Sequence, residues 1–350
     1  MFAFPQTCTA YTPPDAADYI PSEVSEAIPE ELEANYGKTS SVSPMLSLLK
    51  DIAVKLLEPV LAAFGSLISC VMLTSLFSGM SSLTESEAGK KMFSYIVCLC
   101  LGLILYKLLL SVWQTASETL SKVTTMMNAM TVSASSVYAL SGNAAQAALS
   151  TVYTMSAVTL IENVISYAAV PLLKVCFGFS LLSCVTGNIR LGSLAEFVRK
   201  TFTTVLVTLM TLLSAVMSFQ SILARSADSM AMRTVRLVSG HFIPIVGGFV
   251  SEAASTVAAG MGVLKSSVGI AGITALCVTL ASPILLVWMH KTSVTLCAVI
   301  CDVLGQDSQS AMLKTVAGLF NFISALLYCV GVIFTIELLL LATSSSAVCV

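Results

Sequence analysis

The placement of charged residues divides the chain before any other signal does. Stretches free of Asp, Glu, Lys and Arg run over 59–84, 92–106, 123–161, 175–189, 201–224, 266–289 and 315–336. A charge at the bilayer centre costs about 2.5–3.5 kcal/mol on insertion scales, and a spanning helix needs about 20 apolar residues. The runs 59–84, 201–224, 266–289 and 315–336 reach that length directly. The run 92–106 reaches it by passing Lys107, whose stem can carry its ammonium to an interface, and ending at Trp113. A further span uses 163–187 and tolerates Lys174. The pattern therefore predicts an all-α polytopic membrane protein with about six transmembrane helices.

The run 123–161 has a different texture, since 15 of its 39 residues are Ser, Thr, Asn or Gln. Small polar residues suit helices packed on other helices, or lining water. It reads as a broken hairpin turning at Ser141-Gly142-Asn143, not as two lipid-facing spans. Ahead of the membrane, residues 1–41 carry seven acids, the single Lys38 and several prolines, the composition of a solvated, loosely ordered segment. Residues 42–58 then place Leu46, Leu49, Ile52 and Leu56 opposite Lys50, Asp51 and Lys55, the pattern of an amphipathic interfacial helix. Met1 to Ala10 show no basic n-region and no apolar core of signal-peptide length. The expectation is that the true start lies upstream, or that the first span carries the insertion signal. The helical membrane domain then occupies 59–350.

Composition narrows the class. Hydrophobic residues make up 56% and charged residues 10%, where soluble domains carry about 25% charged; mean hydropathy is +0.91. With a net charge of −2 and no basic patch, a soluble enzyme, a nucleic-acid binder and a disordered scaffold are all excluded. Of the eleven cysteines, Cys70, Cys98, Cys100, Cys176, Cys184, Cys277, Cys297, Cys301 and Cys329 lie in or beside apolar runs. A thiol there behaves as a small hydrophobe, so these are expected to be buried and reduced.

The order of elements suggests an internal repeat over 93–190 and 201–304. Each unit has a span, a polar or Gly-rich hairpin, and a second span bearing Val170-Pro171-Leu172-Leu173 or Ser282-Pro283-Ile284-Leu285. Basic residues favour the cytoplasm. Lys90, Lys91, Arg190, Arg199, Lys200, Lys291 and Lys314 fall between or beside the units, so each unit crosses an even number of times. The units are then parallel, with the hairpins and the acidic N-terminus outside. Arg225, Arg233, Arg236 and Lys265 oppose this, and a hairpin that crossed fully would instead make the repeats inverted, as in many transporters.

Few residues suggest chemistry. There are two histidines, and no metalloprotease, phosphate-loop, nucleophile-elbow or dinucleotide motif. Cys297 and Cys301 stand one helical turn apart beside Asp302 and near His290, but ordinary cysteine usage accounts for them. No metal, cofactor or catalytic activity is expected. Intramembrane ionisable residues are functional candidates by default: Lys107, Glu162, Lys174, Glu252, Lys265 and Glu337. Glu162 and Glu252 occupy comparable places in the two units, and Glu337 is placed to face headgroups at the end of the last span. The densest signal is 240–273, with seven glycines. Pro244, Gly247, Gly248, Gly260, Gly262, Gly269 and Gly272 are candidates for a tight helix crossing or a gating re-entrant element. Gly102, by contrast, looks like an ordinary span position.

The stretch Pro244-Ile245-Val246-Gly247-Gly248, Ser251-Glu252-Ala253, Leu264-Lys265 and Val268-Gly269 to Gly272 resembles the signature region of stage III sporulation protein AE. The resemblance extends over most of the chain, including the acidic N-terminal segment and the hairpin around Ser141-Gly142. It implies a membrane subunit of a channel-like, secretion-like complex between mother cell and forespore, made in the mother cell and seated in the outer forespore membrane. Implied partners are other proteins of the same operon, including a secretion-type ATPase and ring-forming proteins, together with a forespore-side protein. Homo-oligomerisation within the bilayer fits such a subunit. The rival expectation is a stand-alone secondary transporter of a small solute, which would hold its site inside one protomer.

Overall fold

The computed structural model describes residues 43–81, 87–140, 144–186, 191–242 and 247–343, and over 220–242 and 247–271 it describes the helical backbone alone. The acidic segment 1–41 lies outside the described residues. Everything described is helical: α1 (Ser43–Ser81), α2 (Glu87–Leu140), α3 (Ala144–Asn163), a π-helical turn (Val164–Ala169), α4 (Val170–Thr186), α5 (Leu191–Phe242), α6 (Gly247–Val303) and α7 (Asp307–Thr343). Among the described residues, six stretches are long and apolar enough to cross a membrane: Lys50–Leu76, Tyr95–Ser133, Ala147–Val185, Gly192–Val216, Gly272–Val303 and Asp307–Leu339. Each overlaps one span expected from the charge pattern.

Neighbouring helices alternate in direction. Cys98 meets Cys184, Gly102 meets Leu181 and Tyr106 meets Phe177 at 5.3 Å between ring centroids, so α2 and α4 are antiparallel. Arg199 reaches Gly318 and Phe202 stacks edge-on against Phe322 at 5.6 Å, so α5 runs parallel to α7. Thr74 near the end of α1 meets Gln306 at the start of α7. The ends of α1 and α4, the starts of α2 and α5 and the α6–α7 turn therefore share one end of the bundle. The end of α2 with the start of α3, and the end of α5 with the start of α6, lie toward the other.

The polar run is where the fold differs most from its sequence pattern. α2 is one helix of 54 residues, about 80 Å at 1.5 Å per residue, where the hydrocarbon core is about 30 Å thick. Its Ser and Thr hydroxyls stay compatible with the helix because they bond its own carbonyls. Thr125 donates to Ser121 O at 3.0 Å, Thr131 to Met127 O at 2.7 Å and Ser136 to Val132 O at 2.8 Å, the back-bonding such side chains adopt in a helix interior. A buried stripe of Leu101, Leu105, Leu109, Val112, Ala116, Leu120, Val123, Met127 and Met130 runs through both the apolar and the polar half at three- and four-residue steps. The polar hairpin is thus the far end of a long helical hairpin, and it breaks where expected, with α2 ending at Leu140 and α3 starting at Ala144.

Two other expectations are revised. The amphipathic segment 42–58 does not form a separate element over its described residues, since α1 runs unbroken from Ser43 through Pro59 to Ser81. The span ending at 289 continues to Val303, which puts Lys291 inside a helix instead of in a connecting loop. α6 ends only where Gly305 takes a positive φ of 71°. There Gln306 N–H donates to Cys301 O at 2.9 Å and Gly305 N–H to Asp302 O at 3.1 Å, the paired bonds of a Schellman cap.

α7 forms the centre, packing against α6, α5, α4 and α2. Met312, Val316, Leu319, Phe320, Phe322, Ile323, Leu326, Leu327, Val330 and Phe334 are all buried. A helix apolar on every side belongs inside.

Candidate functional site

Among the ionisable candidates whose side chains are described, α7 carries the one that the fold brings inside. Glu337 lies one position before the buried Leu338, and its Oε2 is buried without a hydrogen-bond partner. The Thr131 hydroxyl of α2 stands against the carboxyl. One turn earlier on α2, Asn128 also buries an unpartnered Oδ1. Gly272 of α6 allows this meeting of three helices. A Cβ there would lie 2.6 Å from Met130 Cε and 2.9 Å from Leu338 Cδ2, neighbours of Thr131 and Glu337. Glu337 therefore faces the bundle interior and not the headgroups.

The remaining candidates are dispersed. Lys107, Glu162 and Lys174 are exposed on the bundle's outer face. Lys174 borders a narrow groove between α2 and α4 with Tyr106, Trp113 and Leu173. Gly247, Gly248, Glu252, Gly260, Gly262, Lys265 and Gly269 fall where the backbone alone is described, and that backbone is continuous helix from Gly247 onward. Pro244 lies outside the described residues. Gly272 makes a close helix approach. Gly102 does the same: a Cβ there would lie 2.5 Å from Leu181 Cδ1, so it is not an ordinary span position.

A second feature sits on the outer wall. Beside the π-helical turn, Met155, Ser156, Thr159, Leu160, Asn163, Val164 and Ala168 line an open groove of about 570 Å³, next to exposed Glu162. Pro171 explains the turn. It has no N–H for residue 167, and its ring crowds that carbonyl, so the helix widens just before it. Pro283 of α6 is buried without such a widening.

Several contacts had no sequence signal. Arg199 Nη1 donates to Gly318 O at 3.1 Å, and its guanidinium occupies the space a Cβ on Gly318 would fill. A glycine within an apolar helix was the only clue. The Thr74 hydroxyl lies 2.9 Å from Gln306 Oε1 and 3.0 Å from Gln309 Oε1, tying α1 to the α6–α7 turn. Lys314 pairs with Asp302 at 2.7 Å across that turn, both exposed. The expectation of uniformly reduced thiols is corrected at one pair, because Cys98 and Cys184 form a disulfide between α2 and α4. Cys297 and Cys301 are free and buried in the core. Among the described residues, no group of three His, Cys, Asp or Glu side chains is placed to hold a metal.

Comparison with known proteins decides the family. The family model described as stage III sporulation protein AE matches residues 25–345. The chain belongs to the stage III sporulation protein AE family. Among curated relatives, stage III sporulation protein AE of Bacillus subtilis (strain 168) is 25% identical over 279 residues, covering 80% of this chain and 69% of that protein. No solved structure matches. Members of this family serve sporulation, and this one is a helical protein with six stretches suited to crossing a membrane. The family is named for a developmental stage and not for a reaction.

Proposed function

We propose that the chain is a non-enzymatic membrane subunit of a secretion-like channel complex between mother cell and forespore. It would be seated in the outer forespore membrane and assembled both with copies of itself and with other stage III proteins. Those partners include a secretion-type ATPase, ring-forming proteins and a forespore-side protein. The observation that carries the reading is the outer wall of α3. Ser156, Thr159 and Asn163 line an outward groove beside exposed Glu162, within a stretch read as crossing the membrane. Ser156 donates to Val152 O of its own helix at 2.7 Å, but Thr159, Asn163 and Glu162 are also exposed there. Polar groups facing lipid are costly, so a protomer alone in lipid is poorly covered at this wall. Neighbouring copies, or water in a passage between them, would cover it.

The decisive experiment deletes the gene in a spore-former and scores development, with blue-native gels of the detergent-extracted protein run alongside. Arrest after engulfment and a ladder of oligomers are expected. Normal spores, or a strict monomer that binds a solute, would overturn the reading. The second reading, a self-contained transporter of a small solute, draws on one observation: Glu337 is enclosed within a single protomer.

A further inference from the structure

Two buried oxygens near the α7–α2 contact, on Glu337 and Asn128, have no hydrogen-bond partner. The Thr131 hydroxyl lies 2.7 Å from Met127 O. The same hydroxyl stands against the Glu337 carboxyl. Glu337 Oε2 and Asn128 Oδ1 are both buried and unpartnered. Asn128 and Thr131 stand three residues apart on one face of α2, Thr131 meets Glu337 of α7, and Gly272 of α6 packs against the neighbouring Met130 and Leu338. Buried polar atoms left without partners are rare in native proteins, and an ion is one of the standard explanations.

The charges around the site do not supply a partner among the described side chains. On α7, no other charged residue lies between Lys314 and Glu337. On α2, the nearest charges are exposed Lys122 and Glu118, more than one turn below Asn128. α3 presents the half-buried phenol of Tyr153. On α5 and α6 the next cations in sequence are Arg225 and Lys265. The parallel pairing of α5 with α7 and the antiparallel pairing of α6 with α7 each set them about two turns beyond the carboxyl.

We propose that Glu337, with Thr131 and Asn128, binds one small monovalent cation, H⁺ or Na⁺, inside the protomer. One negative charge among neutral oxygens balances a single positive charge, and hard oxygen donors suit either ion. The site lies within the stretch Asp307–Leu339, where an ionisable group facing the bundle interior commonly marks an ion or proton path. It joins α7 to α2 beneath α6, so occupancy would set how firmly these three helices hold together. The proposal does not depend on the channel reading and would survive its failure.

The test uses the full chain purified in detergent and in nanodiscs. For Na⁺, binding of radioactive sodium is measured against a choline background. For H⁺, infrared spectroscopy looks for the carbonyl stretch of a protonated carboxylic acid in sodium-free buffer. Either saturable sodium binding or the acid band supports the site and names its ion, and sodium that abolishes the band shows the two competing. Glu337→Gln should remove the signal completely, while Asn128→Leu should weaken sodium binding about tenfold, as expected for losing one contact to a charged group. Should Glu337→Gln fold poorly, the wild-type measurements with Asn128→Leu still decide. Absence of both sodium binding and acid band would overturn the proposal, because the carboxylate would then be held ionised by a cation of the chain. Restoration of either signal by Lys265→Gln or Arg225→Gln would identify that cation.

Discussion

Glu162 and Glu337 are the same residue type near the ends of apolar helical stretches, and the fold treats them oppositely. Glu162 is exposed beside a groove on the outer wall, whereas Glu337 turns into the bundle with an oxygen buried and unpartnered. The helices that carry them explain the difference. α3 is half-covered, with Ala157, Val158 and Ile161 buried while Met155, Ser156 and Thr159 face outward. α7 packs against α6, α5, α4 and α2, so most of its side chains are buried or half-buried against other helices, with a narrow exposed stripe through Tyr328, Val332 and Leu339. Glu162, on a peripheral helix, is placed to serve assembly, and Glu337, on the central helix, to serve the protomer's interior.

The largest effect should come from the centre. Phe322→Ala removes a fully buried ring stacked on Phe202 and should destabilise the protein by about 3–5 kcal/mol, read by thermal or detergent unfolding. If Phe322→Ala costs no more than substitutions on the α3 wall, the contrast between centre and periphery fails. Gly318→Leu comes next. It displaces the Arg199 guanidinium, which lies 2.9 Å from where the Cβ would sit, and should cost about 3 kcal/mol by combining overpacking with a lost charge-assisted bond.

Gly102→Leu should cost about 1–3 kcal/mol by overpacking against Leu181. Gly65→Leu and Gly178→Leu, where nothing lies within 4 Å of an added Cβ, should be nearly neutral in the same melts. Parity among the three would show that the α2–α4 contact is looser than drawn. The smallest effect on stability belongs to the wall. Glu162→Gln and Thr159→Leu should stay within about 0.5 kcal/mol of wild type yet lower heat-resistant spore counts and shift the oligomer bands. Wild-type sporulation in both would leave the groove without a role.

Much of this architecture was legible. Six charge-free or nearly charge-free runs located the six spanning stretches, because charge is costly in lipid whatever the fold. Ser141-Gly142-Asn143 marked the break between α2 and α3. The continuity of α2 was legible too, had the stripe from Leu101 to Met130 been followed through the serines and threonines instead of stopped at them. The inward turn of Glu337 was not, since a helix apolar on all sides has no periodicity from which to read a facing direction. Nor were Arg199 on Gly318 or Cys98 with Cys184, which depend on helix pairings that no local pattern encodes.

The length of α6 has a mechanical consequence. From Gly247 to Val303 it is one uninterrupted helix of 57 residues, about 85 Å long, and at one end it is capped at Gly305. A rod of that kind acts as a lever, and a small tilt imposed at its distant tip returns as a displacement beside α7. Gly272 sits partway along, where the rod presses on Met130 and Leu338. Force applied outside the bilayer would arrive there as pressure on a contact with no slack.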